Sequence, residues 1–320
     1  RDKKNKITNI LATNEESKSA NTEAPIYIEV DYRAEENVLE QLKQDIKTVL
    51  IAVRLAVADQ RKMLDEVKAC LPELERNPPN VDSAELAESK DFLSWLMNNN
   101  FTFLGARDYK LIGNDTNRAL QLVPGSGLGV LRSDSSTAVS KSYAELPPQA
   151  RKMALSKNIL IIAKTNTKSS VHRDAYTDYI GVKRYNENSE LIGERRFIGL
   201  YTSAAYNSSP RQIPFLRHKV DKTLEELGFP PDSHDGKEAL NLLETLPRDD
   251  LFQATPEELT ELTLGILQLK ERKRMRLLVR RDAYYRYFSC LVYVPRETFT
   301  TDLALAIQDV LMHVFKGLEC

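Results

Sequence analysis

The feature that most constrains this 320-residue sequence is a long apolar stripe that begins near residue 38. Its members recur at helical spacings: Val38, Leu42, Ile46, Val49, Val53, Val57, Leu64, Val67 and Leu71. The period predicts one amphipathic helix, with acidic Glu35 and Glu36 at its start and Pro72 at its end. About 37 residues make a helix roughly 55 Å long, which suits a spacer or an intersubunit strut. The alternative is a helix pair broken near residues 58–60.

Residues 101–206 have a pattern typical of β-strands instead. Apolar alternation and turn residues predict strands over 101–112, 119–123, 159–164, 179–185 and 191–203, and short strand-like runs also occur at 6–11 and 26–30. Because the connections within 101–206 are short, an antiparallel sheet is favoured. A second helix is expected before it, with Asp82 or Ser83 as the cap and Trp95 in the core.

Helices return after Pro210, and then the pattern is strand, strand, helix. Ser209 and Pro210 begin a helix that Gly228 ends, and Thr255 with Glu258 forms a capping box. The tail predicts strands over 275–280 and 287–294 and a helix over 303–314, and at least one further strand is expected to follow. The predicted fold class is therefore α+β, with several small antiparallel sheet domains joined by helical segments.

Composition excludes several classes of function. The 45 Lys and Arg residues nearly balance the 46 Asp and Glu residues, so no global field attracts nucleic acid or an acidic membrane. The basic run at 269–281 is better explained as a helix end followed by a half-buried strand. No run approaches 18 apolar residues, and no membrane partner is expected. Cys70, Cys290 and Cys320 are too few for a disulfide framework and predict a reducing, cytoplasmic location.

Motifs for catalysis and cofactors are missing from the sequence. Its 12 glycines are about half of average usage, and GSGLGVL at 125–131 leads into a polar loop, so it predicts a flexible turn rather than a dinucleotide site. The four histidines lack metal-ligand spacing. We therefore expect no catalytic residue, cofactor site or metal site in these residues.

One polar cluster remains as a candidate site. It is built from residues 169–206, whose cations could converge on an anion: His172, Arg173, Lys183, Arg184, Arg195 and Arg196. The alternative is a solvated sheet face with cross-strand pairs such as Glu194 with Lys183 or Arg184. An effector or intersubunit contact is the second interpretation, and catalysis is the third, because no acid–base pair is visible. His234 is interpreted as part of a helix cap, with a ligand contact as the alternative.

Six blocks of the sequence, in order, resemble the N-terminal region of the large NAD-specific glutamate dehydrogenases. They are FLSWLMNNNFTFLGARDYKL (92–111), TKSSVHRDAYTDYIGVKRY (167–185), GERRFIGLYTSAAY (193–206), SPRQIPFLRHKV (209–220), DSHDGKEALNLLETLPRDDLFQ (232–253) and RLLVRRDAYYRYFSCLVYVPRE (276–297). The resemblance covers about residue 26 to residue 320. In that family, ACT-like modules and a PAS-like module precede a Rossmann-type catalytic domain, and L-glutamate is oxidised with NAD to 2-oxoglutarate and ammonium.

The resemblance implies a domain order for this chain. Residues 1–31 would end a first ACT-like module, 32–100 would be a helical linker, 101–206 a PAS-like sheet, 207–267 a helical segment, and 268–320 the start of a second ACT-like module. None of the family's catalytic residues has a match here. The parent chain would use NAD, and this segment would hold none.

These expectations lead to a regulatory and oligomerisation segment as the first hypothesis. Its partners would be the catalytic domain of its own chain, other subunits, and an amino acid or another small effector. The alternative is a self-sufficient enzyme, or a small-effector sensor, that works through the 172–206 cluster. A nucleic-acid partner is not expected.

Overall fold

The computed structural model describes residues 26–31, 35–114, 117–132, 139, 145–269 and 274–317. The chain divides into two compact units, Arg1–Lys47 and Thr48–Cys320. In the first unit, residues 26–31 are exposed and form no strand, so the strand predicted at 26–30 is wrong. These residues pair with no other strand and bury no side chain, so nothing stabilises them as a strand. The run at 6–11 lies outside the described residues, and the boundaries of the five predicted domains stay predictions.

Helix α1 is one continuous helix, Glu36–Arg76, of 41 residues. The alternative break near residues 58–60 is wrong, and so is the stop at Pro72, which lies inside the helix. In the second unit, its buried residues follow the helical period past that proline: Ala56, Asp59, Met63, Val67, Cys70 and Leu74. Burial of Leu74 beyond Pro72 explains the continuation, because packing outweighs one lost backbone hydrogen bond.

The sheet agrees closely with the strand pattern. Its main strands are β1 Phe101–Ile112, β2 Ala119–Leu122, β3 Leu128–Gly129, β4 Leu160–Lys168, β5 Tyr176–Tyr185 and β6 Leu191–Tyr201. They are antiparallel in the order β2-β1-β6-β5-β4, and β3 pairs with β1. The molecule is α+β, as predicted. The turn at 125–131, predicted to be flexible, is instead fixed by β3, because the Gly129 amide donates to the buried carboxylate of Asp59 at 3.0 Å.

One face of the sheet carries the main core. Partners in the register place Ile180 opposite Phe197 and Val182 opposite Arg195, so these side chains share a face. Helix α1 packs there with helix α2, Ser83–Trp95, whose N-cap is Asp82 as the sequence predicts. Phe92 of α2 is fully buried, and Trp95 packs against this core. Burying large aromatic side chains is the main stabilising term for this layer.

The opposite face is covered by a helix that the sequence pattern did not reveal. Helix α3, Pro148–Leu155, places Ala154 in a small core with Tyr109, Leu120 and Leu122. Eight residues are too few to show a helical period, which is why the pattern was missed.

A group of helices follows the sheet: α4 Ser203–Asn207, α5 Leu216–Leu227, α6 His234–Thr245, α7 Arg248–Gln253 and α8 Pro256–Leu267. The capping box at Thr255 and Glu258 is confirmed, and so is the left-handed Gly228 cap. The single helix expected from Pro210 to Gly228 is wrong, because the chain breaks at Phe215, where φ is 66°. There the Phe215 amide donates to the buried Glu88 carboxylate at 2.5 Å, which compensates the interruption.

The last element group is strand β7 Arg276–Arg281, strand β8 Phe288–Tyr293 and helix α9 Thr301–Phe315, as the pattern predicts. Leu278 of β7 packs against α8, where an added Cβ at Gly265 would lie 3.3 Å from its Cδ2 atom. The glycine therefore allows the close approach of helix and hairpin.

Lys219 ties α5 to the end of α7. Its buried ammonium donates to the carbonyl oxygens of Leu251, Phe252 and Ala254, at 3.0, 2.6 and 2.8 Å. These are C-terminal carbonyls of the short helix, which otherwise lack partners. Burial lowers the pKa of Lys219 to about 8, and the nearby Arg280 guanidinium contributes to this shift.

We expect the stability advantage of the wild-type chain over a Lys219→Met variant to depend on pH. The ordinary lysine pKa is 10.5 and the folded value is about 8, so between these values the unfolded chain binds more protons. The free energy of unfolding of the wild type relative to the variant should then rise from pH 8 to pH 10.5, by on the order of 3 kcal/mol. Urea unfolding at each pH measures it. A difference that stays constant with pH would contradict the lowered pKa of Lys219.

Candidate functional site

Arg184 and Arg195 share the Asp108 carboxylate, but the structure does not bring all six candidate cations together on one anion. Arg195 faces helix α1, whereas Arg196 and Lys183 lie on the other face of the sheet, because side chains alternate along a strand. Arg173 lies in the connection between β4 and β5. The predicted convergence is therefore wrong, and the role of each residue in an effector or subunit contact stays a prediction.

Arg195 is the buried centre of an ion-pair network. Its Nε and Nη2 atoms donate to the two carboxylate oxygens of Asp108 at 2.8 and 3.1 Å. Its Nη1 atom reaches the Glu66 carboxylate of α1 at 3.1 Å and the Glu66 carbonyl at 3.3 Å. Hydrogen bonds and charges from Asp108 raise the pKa of Arg195 against the effect of burial. Paired in this forked geometry, Arg195 holds α1 on the sheet.

Arg184 extends the same network rather than pairing with Glu194. Its Nη2 atom donates to the Glu73 carboxylate of α1 at 2.7 Å, and its Nη1 atom lies 3.4 Å from Asp108. Burial beside this network raises the pKa of the Cys70 thiol to about 12. Cys70 is therefore a protonated core residue rather than a nucleophile.

Arg196 is stacked between two tyrosines on the other face. Its guanidinium lies 4.2 Å from the Tyr109 ring centre and 4.9 Å from that of Tyr179. The Tyr179 hydroxyl donates to the buried Glu194 carboxylate, and Arg196 Nε lies 3.5 Å from the same oxygen. Burial raises the pKa of Glu194. An added Cβ at Gly181 would lie 2.8 Å from Glu194 Oε1, so the glycine leaves room for this carboxylate.

The Lys183 side chain binds the C-terminus of a helix. Its ammonium donates to the carbonyl oxygens of Met153 and Ser156 at 3.0 and 2.6 Å, at the C-terminus of α3. Lys183 and Glu194 are direct partners on β5 and β6, as predicted, but the Lys183 ammonium binds these carbonyl oxygens and not the Glu194 carboxylate. Burial lowers the pKa of Lys183 to about 8, and the helix carbonyls accept its charge.

The two histidine candidates lie away from these networks. His172 is exposed in the connection before β5, with φ at 74°. His234 is the first residue of α6, and the adjacent Ser233 hydroxyl accepts from the Gly236 amide at 3.0 Å. The predicted cap is therefore confirmed, with Ser233 as the capping residue.

A shallow, open pocket of about 620 Å³ with several charged lining residues lies where four segments meet. Its lining residues are Lys164, Lys168, Arg173, Asp174, Ala175, Tyr176, Tyr206 and Asp249. Lys164 of β4 lies between two carboxylates, 2.8 Å from Asp178 and 3.2 Å from Asp249. The Tyr206 hydroxyl is 3.4 Å from both oxygens of Asp249.

Most of these pocket residues were missed by sequence reasoning. Lys164 and Asp178 are register partners on adjacent strands, which a pairing of the two predicted strands could have suggested. Asp249 comes from α7, some seventy residues further along, and no local pattern connects it with the sheet. Burial raises the pKa of Tyr206 to about 12, and Asp249 adds to the shift. Both carboxylates raise the pKa of Lys164 and hold it charged, against the effect of burial.

The expectation that these residues hold no metal and no dinucleotide stays a prediction. Among them, no group of three His, Cys, Asp or Glu side chains is placed to hold a metal ion. A Cβ at Gly129 would lie 2.1 Å from the Leu104 carbonyl oxygen, so this glycine serves strand pairing rather than contact with a phosphate. None of the helices in the described ranges is long and apolar enough to cross a membrane.

Two segments of the chain match described protein families. Residues 213–272 match the family described as glutamate dehydrogenase, helical motif 1, and residues 276–320 match the glutamate dehydrogenase ACT2 domain. Along the whole chain, similar proteins are NAD-specific glutamate dehydrogenases from Halomonas elongata, 38% identical over 97% of this chain, and Pseudomonas aeruginosa, 35% identical over all of it. This chain matches the N-terminal region of the large NAD-specific glutamate dehydrogenase family.

The glutamate dehydrogenase relatives are much longer than this chain. It spans 19% of the Halomonas protein and 20% of the Pseudomonas protein. A Mycobacterium tuberculosis protein of the same name is 25% identical over 92% of this chain, which spans 17% of that relative. The chain therefore corresponds to about a fifth of these dehydrogenases.

We expect Arg195→Gln to destabilise the fold strongly. The substitution leaves the Asp108 carboxylate without its forked partner and removes the contact with Glu66, and breaking a buried pair costs about 3 kcal/mol or more. Arg211→Gln is the matched control, because its pair with Asp221 is about half exposed and should change stability by less than about 0.5 kcal/mol. Urea unfolding of both variants measures the difference, and equal costs would show that Arg195 does not hold α1.

Proposed function

We propose that this chain is a non-catalytic assembly and regulatory segment of an NAD-specific glutamate dehydrogenase. The parent enzyme would oxidise L-glutamate with NAD, and its catalytic domain would lie outside these 320 residues. Residues 101–206 would be the PAS-like module and residues 268–320 part of a second ACT-like module. The match of residues 276–320 to the ACT2 domain supports the last assignment.

The observation that carries the proposal is the exposed apolar surface of the β7-β8-α9 segment. Helix α9 has no buried residue, and its apolar side chains Leu305, Val310 and Val314 are exposed. Val310 and Val314 are 60% and 62% exposed. Apolar side chains exposed together on one helix mark a surface that other protein covers. We infer that protein outside the described residues covers it.

Strand β7 presents a second apolar surface in the same segment. Leu278 packs against α8, whereas Leu277 and Val279, which alternate with it, are exposed. Large exposed apolar patches mark interaction surfaces. The occupants proposed here are the rest of the chain's own polypeptide and other subunits.

The absence of a catalytic role is supported by how the ionisable residues are used. Arg195, Arg184 and Lys183 each bind carboxylates or carbonyl oxygens that join one element to the next. Groups that stabilise packing in this way are not placed for proton transfer to a substrate.

We expect Val314→Glu to weaken the assembly of the complete polypeptide. A carboxylate buried in an apolar contact without a partner would cost at least about tenfold in the dissociation constant. Gln308→Glu adds the same charge at an exposed polar position of the same helix and is the matched control. Light scattering gives the mass of each assembly across a dilution series. Identical dissociation of wild type and Val314→Glu would rule out this surface as an interface.

We also expect the 320-residue chain to give no NADH from NAD and L-glutamate, as followed by absorbance. The complete polypeptide is the positive control. Turnover by the chain alone that disappears in Arg196→Ala would contradict the proposal and support a self-sufficient enzyme.

A further inference from the structure

We propose that the pocket lined by Lys164, Arg173, Tyr206 and Asp249 binds the zwitterionic head group of a free α-amino acid. Its regulatory meaning rests on the function proposed above, whereas binding itself can be tested separately. The pocket is distinct from the ion pairs that hold α1 on the sheet.

The pocket is built by segments that are far apart in the sequence. Lys164 comes from β4, Arg173 from the β4–β5 connection, Tyr206 from α4 and Asp249 from α7. Each is fixed by a specific contact. Arg173 donates from Nη2 to the Tyr201 carbonyl at 3.1 Å, and its guanidinium lies 5.4 Å from the centre of the Tyr206 ring. Preorganised polar groups around an open volume are typical of small-molecule sites.

The charges of the pocket select the class of ligand. Lys164, Lys168 and Arg173 supply three cations, and Asp174, Asp249 and the adjacent Asp178 supply three carboxylates. Because the charges balance, a nucleotide polyphosphate would meet as much repulsion as attraction. A zwitterion carries one charge of each sign, so it can pair with both a cation and a carboxylate of such a pocket.

Two lining residues of opposite charge suit the two ends of such a ligand. Arg173 is exposed, and a guanidinium binds carboxylates well because of its planar fork. Asp249 has a side chain that is 30% exposed, and it is placed to accept from an ammonium group. The ligand carboxylate would therefore bind Arg173 and the ligand ammonium would bind Asp249. Tyr176 and Tyr206 provide aromatic surface for the aliphatic part of the ligand.

A second observation concerns Tyr201, a buried neighbour of the pocket residues Tyr206 and Asp249. The Tyr201 hydroxyl is buried and has no hydrogen-bond partner among the described residues. Burial raises its pKa, and Asp178, Asp249 and Tyr206 are near enough to add to that shift, so the phenol stays protonated. An unpaired buried donor costs about 1–3 kcal/mol. A polar ligand atom or an ordered water within hydrogen-bond distance would satisfy it.

Isothermal titration of the 320-residue chain tests the proposal with glycine, L-glutamate and L-arginine as probes. Acetate and methylammonium are the controls that carry only one of the two charges. We expect at least one amino acid to bind and both single-charge controls to bind at least about tenfold more weakly. Acetate binding as tightly as the amino acids would overturn the zwitterion assignment, and so would no heat from any probe up to tens of millimolar.

Variants locate the binding. We expect Arg173→Gln and Asp249→Asn each to weaken amino-acid binding at least about tenfold, whereas the exposed Arg211→Gln should leave it unchanged. Because Asp249 also pairs with Lys164, thermal unfolding checks that its variant is folded, and Arg173→Gln alone suffices if it is not. Binding that is unaffected by Arg173→Gln would overturn the site. None of these variants touches α9, so failure here would leave the assembly measured with Val314→Glu unaffected.

Discussion

Helix α1 is held on the sheet by a buried arginine as much as by apolar contact. Taking the Arg195 guanidinium out of water is costly, and the cost is offset only because Asp108 binds it with both oxygens and α1 supplies Glu66 and a carbonyl oxygen. This geometry needs the helix and two strands in one register. The network therefore specifies how α1 lies on the sheet, which interchangeable leucines and valines alone would define less sharply.

Charged residues of the sheet divide into two groups by accessibility. Arg195 and Arg184 on one face and Lys183 on the other bind carboxylates or helix carbonyls and join neighbouring elements. Near the end of β4, charged side chains are open to solvent instead, and they line the pocket beside Lys164. At the far end of the chain the situation is reversed, since α9 shows apolar surface with few charges. Polar contacts thus organise the interior of this segment, and apolar surface marks where it would join other protein.

Elements whose hydrophobic pattern repeats over many residues were predictable from the sequence. Helix α1, the five principal strands and the β7-β8-α9 order follow from alternation and helical spacing, and Ser233 and Thr255 cap helices as their positions indicate. The site was not predictable in this way. Arg195 and Arg196 are adjacent in sequence and face opposite sides, and their partners Asp108 and Tyr109 come from a strand almost ninety residues earlier. Only tertiary pairing decides which cation meets which carboxylate.

Gly181 leaves room for the Glu194 carboxylate because glycine has no side chain. Gly181 sits opposite Arg196 in the ladder, and any β-carbon there would press on the Glu194 carboxylate. A larger residue at 181 would therefore have to displace the Glu194 carboxylate, which would in turn release the Tyr179 hydroxyl and the guanidinium stacked on its ring.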